Sequence, residues 1–135
     1  MQELKDTVFA IGNPNDAYAK YFKGQSYLNM LSLSQVVIGN VTFEPGCRNN
    51  WHIHHADKGG GQILLVTAGR GWYQEEGKPA QALQPGDVVN IPANVKHWHG
   101  AAADSWFAHL AVEVPGEGCA TEWCDPVSDE EYAAL

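Results

Sequence analysis

The chain is short of the features that define several large protein classes. Its three cysteines, Cys47, Cys119 and Cys124, are odd in number and form no C-x-x-C pair. That spacing suits neither a disulfide framework nor a zinc ribbon, so reduced thiols are expected. Cys47 lies close in sequence to a histidine pair, but nothing around it signals a lowered pKa, and it is expected to be an unreactive structural thiol. Basic residues are scarce: eight Lys and Arg stand against sixteen Asp and Glu, a net charge of -8. This balance repels a phosphate backbone and excludes nucleic acid as a partner. No apolar run reaches the length of a membrane span. The first residues, MQELKDTVFAIGNPND, mix charge with apolar side chains instead of placing a basic stretch before an apolar block. A secretory leader is not expected there, and the cytoplasm is the expected location.

What is present is a chain of 135 residues with 44% apolar content, enough for one domain with a real core. From Val36 onward it breaks into short β-branched and aromatic segments punctuated by glycine and proline. VVIGNVTF ends at Pro45-Gly46, WHIH runs into Gly59-Gly60-Gly61, and QILLVTA ends at Gly69. GWYQEE and AQAL flank Gly77-Lys78-Pro79 as a hairpin. Pro85-Gly86 then leads into DVVNI, KHWHGA and WFAHLAVEV before Pro115. About eight short strands in succession predict an all-β antiparallel jelly roll. Three regions follow: an N-terminal arm over residues 1–35, a β-barrel over 36–114 and a C-terminal tail over 115–135. Short helices are expected only near the ends. Asp16 to Phe22 sets Tyr18, Tyr21 and Phe22 on one face before Gly24, and Ser128 with Glu131 fits a capping box for a last helix carrying Tyr132 and Leu135. Both faces of QILLVTA are apolar. With the aromatic first helix, that predicts a homodimer.

The chemistry is carried by histidine. His52 and His54 are two apart on a predicted strand, so both imidazoles project to the same face. His97 lies on a later strand with His99 two residues on, and jelly-roll strands bring such distant segments to one interior point. Three neutral imidazoles suit a divalent transition metal. His99 shares the face of His97 and is a candidate for proton transfer. His55 faces the other way, toward solvent. Asn49, Val41 and Glu113 are candidates for the pocket mouth. The glycines 59–61 lack the strand-to-helix context of a phosphate loop and need serve only as a turn.

The spacings resemble those of the cupins. Gly46 is followed by five residues and His52-Ile53-His54; Gln62 is followed by six residues and Gly69; Gly86 is followed by five residues and Pro92, then His97. The resemblance spans residues 36–114 and implies a double-stranded β-helix around one metal ion. The pattern departs from the family at Gln62, where a glutamate is usual, at the seven-residue gap 55–61, and at Asn94 and Ala101 in place of a glycine and an asparagine. In VTFEPG, LLVTAGRGW, PGDVV, KHWHGAA and AHLAVE the chain is similar to bacterial cupins that include manganese-dependent hydroxynitrile lyases. Related cupins stand beside or fused to carboxymuconolactone decarboxylase-like domains.

That resemblance implies His52, His54, Gln62 and His97 as metal ligands, with His55 and Asp57 as rivals for the fourth place. It also implies a second interior acid/base group, His109, beside His99. Manganese is the metal implied, with iron, nickel and zinc as further candidates. An uncharged ligand set leaves the ion's charge uncompensated and strengthens it as a Lewis acid. Three functions follow as expectations: a lyase acting on a small molecule by hydroxynitrile-lyase-like cleavage, an iron-dependent dioxygenase, or a binding or sensing module without catalysis.

Overall fold

Alternating segments between turn residues build ten strands of three residues or more among the described residues: β1 (Ser26–Ser32), β2 (Ile38–Phe43), β3 (His52–His55), β4 (Gln62–Gly69), β5 (Gly71–Glu75), β6 (Gln81–Leu83), β7 (Val88–Ile91), β8 (Lys96–Ala101), β9 (Phe107–Glu113) and β10 (Ala120–Trp123). The structure, a computed structural model, describes residues 7–135. The first six residues of the predicted arm, and of the stretch read above for a leader, lie outside the described residues. Among the described residues no helix is long and apolar enough to cross a membrane.

All pairings are antiparallel, and two sheets face each other as a double-stranded β-helix. One runs β1-β2-β9-β4-β7, with Asn13–Pro14 added at its β1 edge. The other runs β6-β5-β8 and continues through Arg48–Asn49 to Phe22–Lys23, while β3 pairs with both β8 and β10. The inward faces supply the core, in which Phe43, Leu64, Val66, Tyr73, Val89, Ile91, Phe107 and Ala111 pack together. At about 25 cal/mol per Å² of apolar surface, such burial is the main stabilising term.

Both ends of the chain contribute strands that the predicted segments before Val36 and after Pro115 do not include. β1 lies inside the predicted arm, and β10 inside the predicted tail. The helix at the N-terminal end is a 3-10 helix, Asp16–Tyr21. It ends because Phe22 and Lys23 are drawn into pairing with Asn49 and Arg48. The C-terminal helix, Asp129–Ala133, starts on the expected capping box: Ser128 Oγ accepts from the Glu131 N–H, and Glu131 Oε1 accepts from the Ser128 N–H. Leu135 falls beyond it.

That helix is fastened to the barrel by Arg48, which is buried yet fully partnered. Its guanidinium donates to the Val127 carbonyl at 3.0 Å and to Asp129 at 2.7 Å, and lies 4.3 Å from the Tyr132 ring centroid. Asp129 also pairs with Lys23 of the arm. Trp51, Trp98 and Val127 form a second apolar cluster under the tail, so β8 is covered on both faces. On β4 the inward Leu64 and Val66 are buried, whereas the outward Ile63 and Leu65 are half-buried.

The long gap before β4 is closed by a small ribbon in which Lys58–Gly59 pairs with Gly116–Glu117. It ends at Gly61, whose φ of +91° is left-handed and whose place for a Cβ is taken by the Ile91 carbonyl and, at 3.0 Å, the Ala93 nitrogen. Gly77, at φ +81°, has open space where a Cβ would stand. Gly77→Ala is therefore expected to cost only the backbone penalty, about 1–2 kcal/mol. Gly61→Ala is expected to cost at least twice that, because backbone must also move; urea unfolding of the two variants checks the order.

Candidate metal centre

Strand register assembles the site. On β3 and β8, His97 stands directly opposite His52, so the inward faces of these strands bring His52, His54, His97 and His99 together. His52 and His97 have ring centroids 4.2 Å apart, with His54 at 5.0 and 5.3 Å from them. These three offer nitrogens that all lie within 4.8 Å of one another. Gln62, the first residue of β4, is buried. It stands opposite Glu113 of β9, and its Nε2 donates to Glu113 Oε1 at 2.6 Å.

The outer nitrogens of the three imidazoles are tied. His52 Nδ1 lies 2.8 Å from the Asn50 carbonyl, His97 Nδ1 2.9 Å from the Val95 carbonyl, and His54 Nδ1 3.3 Å from Thr121 Oγ1. A carbonyl can only accept, so His52 and His97 carry their proton on Nδ1 and keep a lone pair on Nε2. His54 Nε2, His97 Nε2 and Gln62 Oε1 are buried without a hydrogen-bond partner. Unpartnered buried polar atoms are costly, about 1–3 kcal/mol each, unless something binds them. Two imidazole nitrogens and an amide oxygen are donors that a divalent transition metal takes, and the tied Nδ1 atoms are the outer support that metal-binding histidines commonly have. The residues present thus fit such an ion.

His55 and Asp57, the rivals for the fourth place, lie outside this cluster. Both are exposed, and His55 pairs with Glu122 at 2.7 Å. His99 and His109 are both buried; His109 Nε2 lies 3.1 Å from His99 Nδ1. A register shift between Ala108 and His109 in the β9–β4 pairing sets where His109 falls on the interior face. Asn49 fastens the pair by accepting from the His99 N–H at 2.9 Å and placing its Nδ2 3.2 Å from His99 Nε2.

His52, His54, Gln62, His99 and His109 line one cavity of about 390 Å³. Val41, Asn49 and Glu113, the candidates for its mouth, line it as well. Its other walls come from segments that sequence reasoning missed: Leu28 and Met30 of β1, and Thr121 and Trp123 of β10. Neither SYLNMLS nor ATEW alternates apolar with polar residues, so no local two-residue period marked either strand. Trp123 lies opposite His52 in the strand register, with its ring 4.7 Å from that imidazole and stacked on Tyr21 at 4.4 Å. Cys47 takes no part: burial, with Glu44 adding to it, pushes its thiol up to about 12.

A double-stranded β-helix with a histidine-rich interior defines the class. A family model described as Cupin domain matches residues 39–113, and the chain belongs to the cupin family. The (R)-mandelonitrile lyase of Granulicella tundricola is 47% identical over 93 residues, which cover 69% of this chain and 68% of that protein. A crystal structure of a cupin-like protein from Thermotoga maritima superposes with a TM-score of 0.83 at 40% identity, over 96% of each chain. The acireductone dioxygenase of Bacillus mycoides is 28% identical over 69 residues, 48% of this chain and 39% of that protein.

Burial keeps the interior imidazoles uncharged. It holds His52 and His99 well below the ordinary histidine value, with neighbouring imidazoles adding to the effect. It brings His97 and His109 down to about 4. His54 is lowered by burial too, with Glu113 and Gln62 beside it pulling the other way. Between pH 6.5 and 4 the unfolded chain takes up protons at these positions that the folded chain refuses, so stability falls as pH falls through that window. The metal-free protein is expected to have a Tm that drops steadily from pH 6.5 to 4. His109→Gln should flatten part of the slope, as thermal melts across that range can show.

Proposed function

We propose that the protein binds one divalent metal ion, manganese first, through His52, His54, Gln62 and His97, and cleaves a cyanohydrin-type substrate into a carbonyl compound and hydrogen cyanide. The observation that carries the reading is the set of buried atoms without a hydrogen-bond partner, His54 Nε2, His97 Nε2 and Gln62 Oε1, close to an uncharged His99–His109 pair; His54, Gln62, His99 and His109 line one cavity. The similarity to a mandelonitrile lyase supplies the reaction class.

When bound, the ion supplies Lewis acidity toward an oxygen or cyanide group of the substrate. The chain's own residues do the rest. His99, uncharged at neutral pH, takes the hydroxyl proton as the carbon–carbon bond breaks, and returns it to the departing cyanide. His109, 3.1 Å away, holds the His99 ring in one orientation and shares the charge while the proton is held. Leu28, Met30, Val41 and Trp123 offer apolar surface to the rest of the substrate and keep water from the reacting carbon.

Metal-loaded protein is expected to release cyanide from mandelonitrile. His99→Ala should slow release by about 10²- to 10⁴-fold with metal content unchanged, and His97→Ala should lose metal and activity together. Undiminished release by a metal-replete His99→Ala protein would remove the proton-transfer role. A dioxygenase is the second reading, favoured by the partial similarity to acireductone dioxygenase; substrate-dependent oxygen uptake by iron-loaded protein, without cyanide release, would establish it instead.

The proposal includes a homodimer. Leu31 and Leu33 are exposed along the β1–β2 hairpin, and Leu33 is 75% accessible. An apolar edge of this kind suits a second copy. Light scattering is expected to give twice the chain mass, and Leu33→Asp to reduce it toward one.

A further inference from the structure

We infer that Glu113 is a positioning residue that sets which end of the Gln62 amide faces the metal. The inference rests on the proposed ligand set. A glutamine side chain has an acceptor at one end and a donor at the other, and only the oxygen can ligate a metal. Left alone, it reaches either orientation by a rotation about its last bond. A carboxylate removes that freedom, because it accepts hydrogen bonds and, when ionised, cannot donate them. Glu113 stands directly across the strand pair from Gln62 and takes the amide Nε2 at 2.6 Å, a short, charge-assisted bond. The opposite orientation would set two oxygens against each other at that distance. Oε1 is thereby directed away from Glu113, and like His54 Nε2 it is buried with no hydrogen bond of normal geometry.

The same pairing accounts for an amide at position 62. A glutamate there would face the Glu113 carboxylate within hydrogen-bonding distance, and two carboxylates so placed cannot both stay ionised. The negative charge that most cupins place on the metal stands one residue further out in this chain.

The experiment uses Mn²⁺ alone as the probe, with affinity by titration and the electron paramagnetic resonance line shape as a second readout. Glu113→Ala is expected to weaken Mn²⁺ binding about 10- to 100-fold and to change the line shape. Glu113→Gln, which can still accept from Nε2 through its own oxygen, should stay within about fivefold of wild type. In a Gln62→Ala background, Glu113→Ala should change affinity less than about twofold, since its effect runs through Gln62.

Wild-type affinity in Glu113→Ala, alongside weakened binding in Gln62→Ala, overturns the inference alone. An equal loss in both backgrounds also overturns it, because the carboxylate would then act on the ion directly. Wild-type affinity in Gln62→Ala overturns the ligand reading and this inference with it. Should Glu113→Ala fail to fold, Glu113→Thr keeps strand preference, is too short to hold the amide, and carries the same expectations.

Discussion

The antiparallel register between β3 and β8 is the constraint on which the interior depends. It sets His97 opposite His52 and, through the two-residue period of a strand, turns His54 and His99 to the same face. A slip of one residue in either strand would turn its two imidazoles out of the barrel and bring Ile53 or Trp98 in. The slip is blocked from both sides. Trp98 is fully buried on the outer face of β8, in the cluster with Trp51 and Val127, and its indole nitrogen donates to Gln74. The apolar packing outside the barrel thus holds the polar arrangement inside it.

That arrangement runs against the usual economy of a core. Five histidines share one interior, and burial strips each of its charge instead of pairing it with an acid. The cost of the unpartnered buried atoms would be relieved by any ion they bind, so binding at the proposed site and folding stability would be linked. The two ends of the chain belong to this balance. Lys23 and Arg48 meet on Asp129, Tyr21 stacks on Trp123, and Trp123 lies over His52. Arm and tail together cover the side of the barrel that carries His52.

The barrel was legible because its strands alternate and its turns are marked by glycine and proline; the β5–β6 hairpin and the Ser128 cap stand where their residue types demand. The histidines were legible for the same reason, since spacing by two on a strand is a statement about direction. Segments outside the barrel motifs were harder to read. SYLNMLS mixes serine and asparagine with its apolar residues, and nothing local says that Tyr27 will face Thr42 across a strand pair. The role of Trp123 depends on β10 lying beside β3, about seventy residues earlier, a pairing that turn chemistry does not encode. Long-range register decides such contacts. The Glu113 contact with Gln62 has the same origin.

What separates the proposed ligands from the proposed base among these buried, uncharged imidazoles is the partner of each nitrogen. The backbone carbonyls of Asn50 and Val95 hold Nδ1 of His52 and His97, which commits those rings to one tautomer and leaves Nε2 as a permanent lone pair. Such a ring is a good ligand and a poor shuttle, because its only proton is engaged with an acceptor that will not release one. His99 and His109 lean on each other and on Asn49, whose amide nitrogen lies within reach of both nitrogens of His99. Between two imidazoles a proton can sit on either side of the bond. The same burial keeps both kinds of ring neutral, yet only the second kind can change its tautomer in place, which is what taking and returning a proton requires.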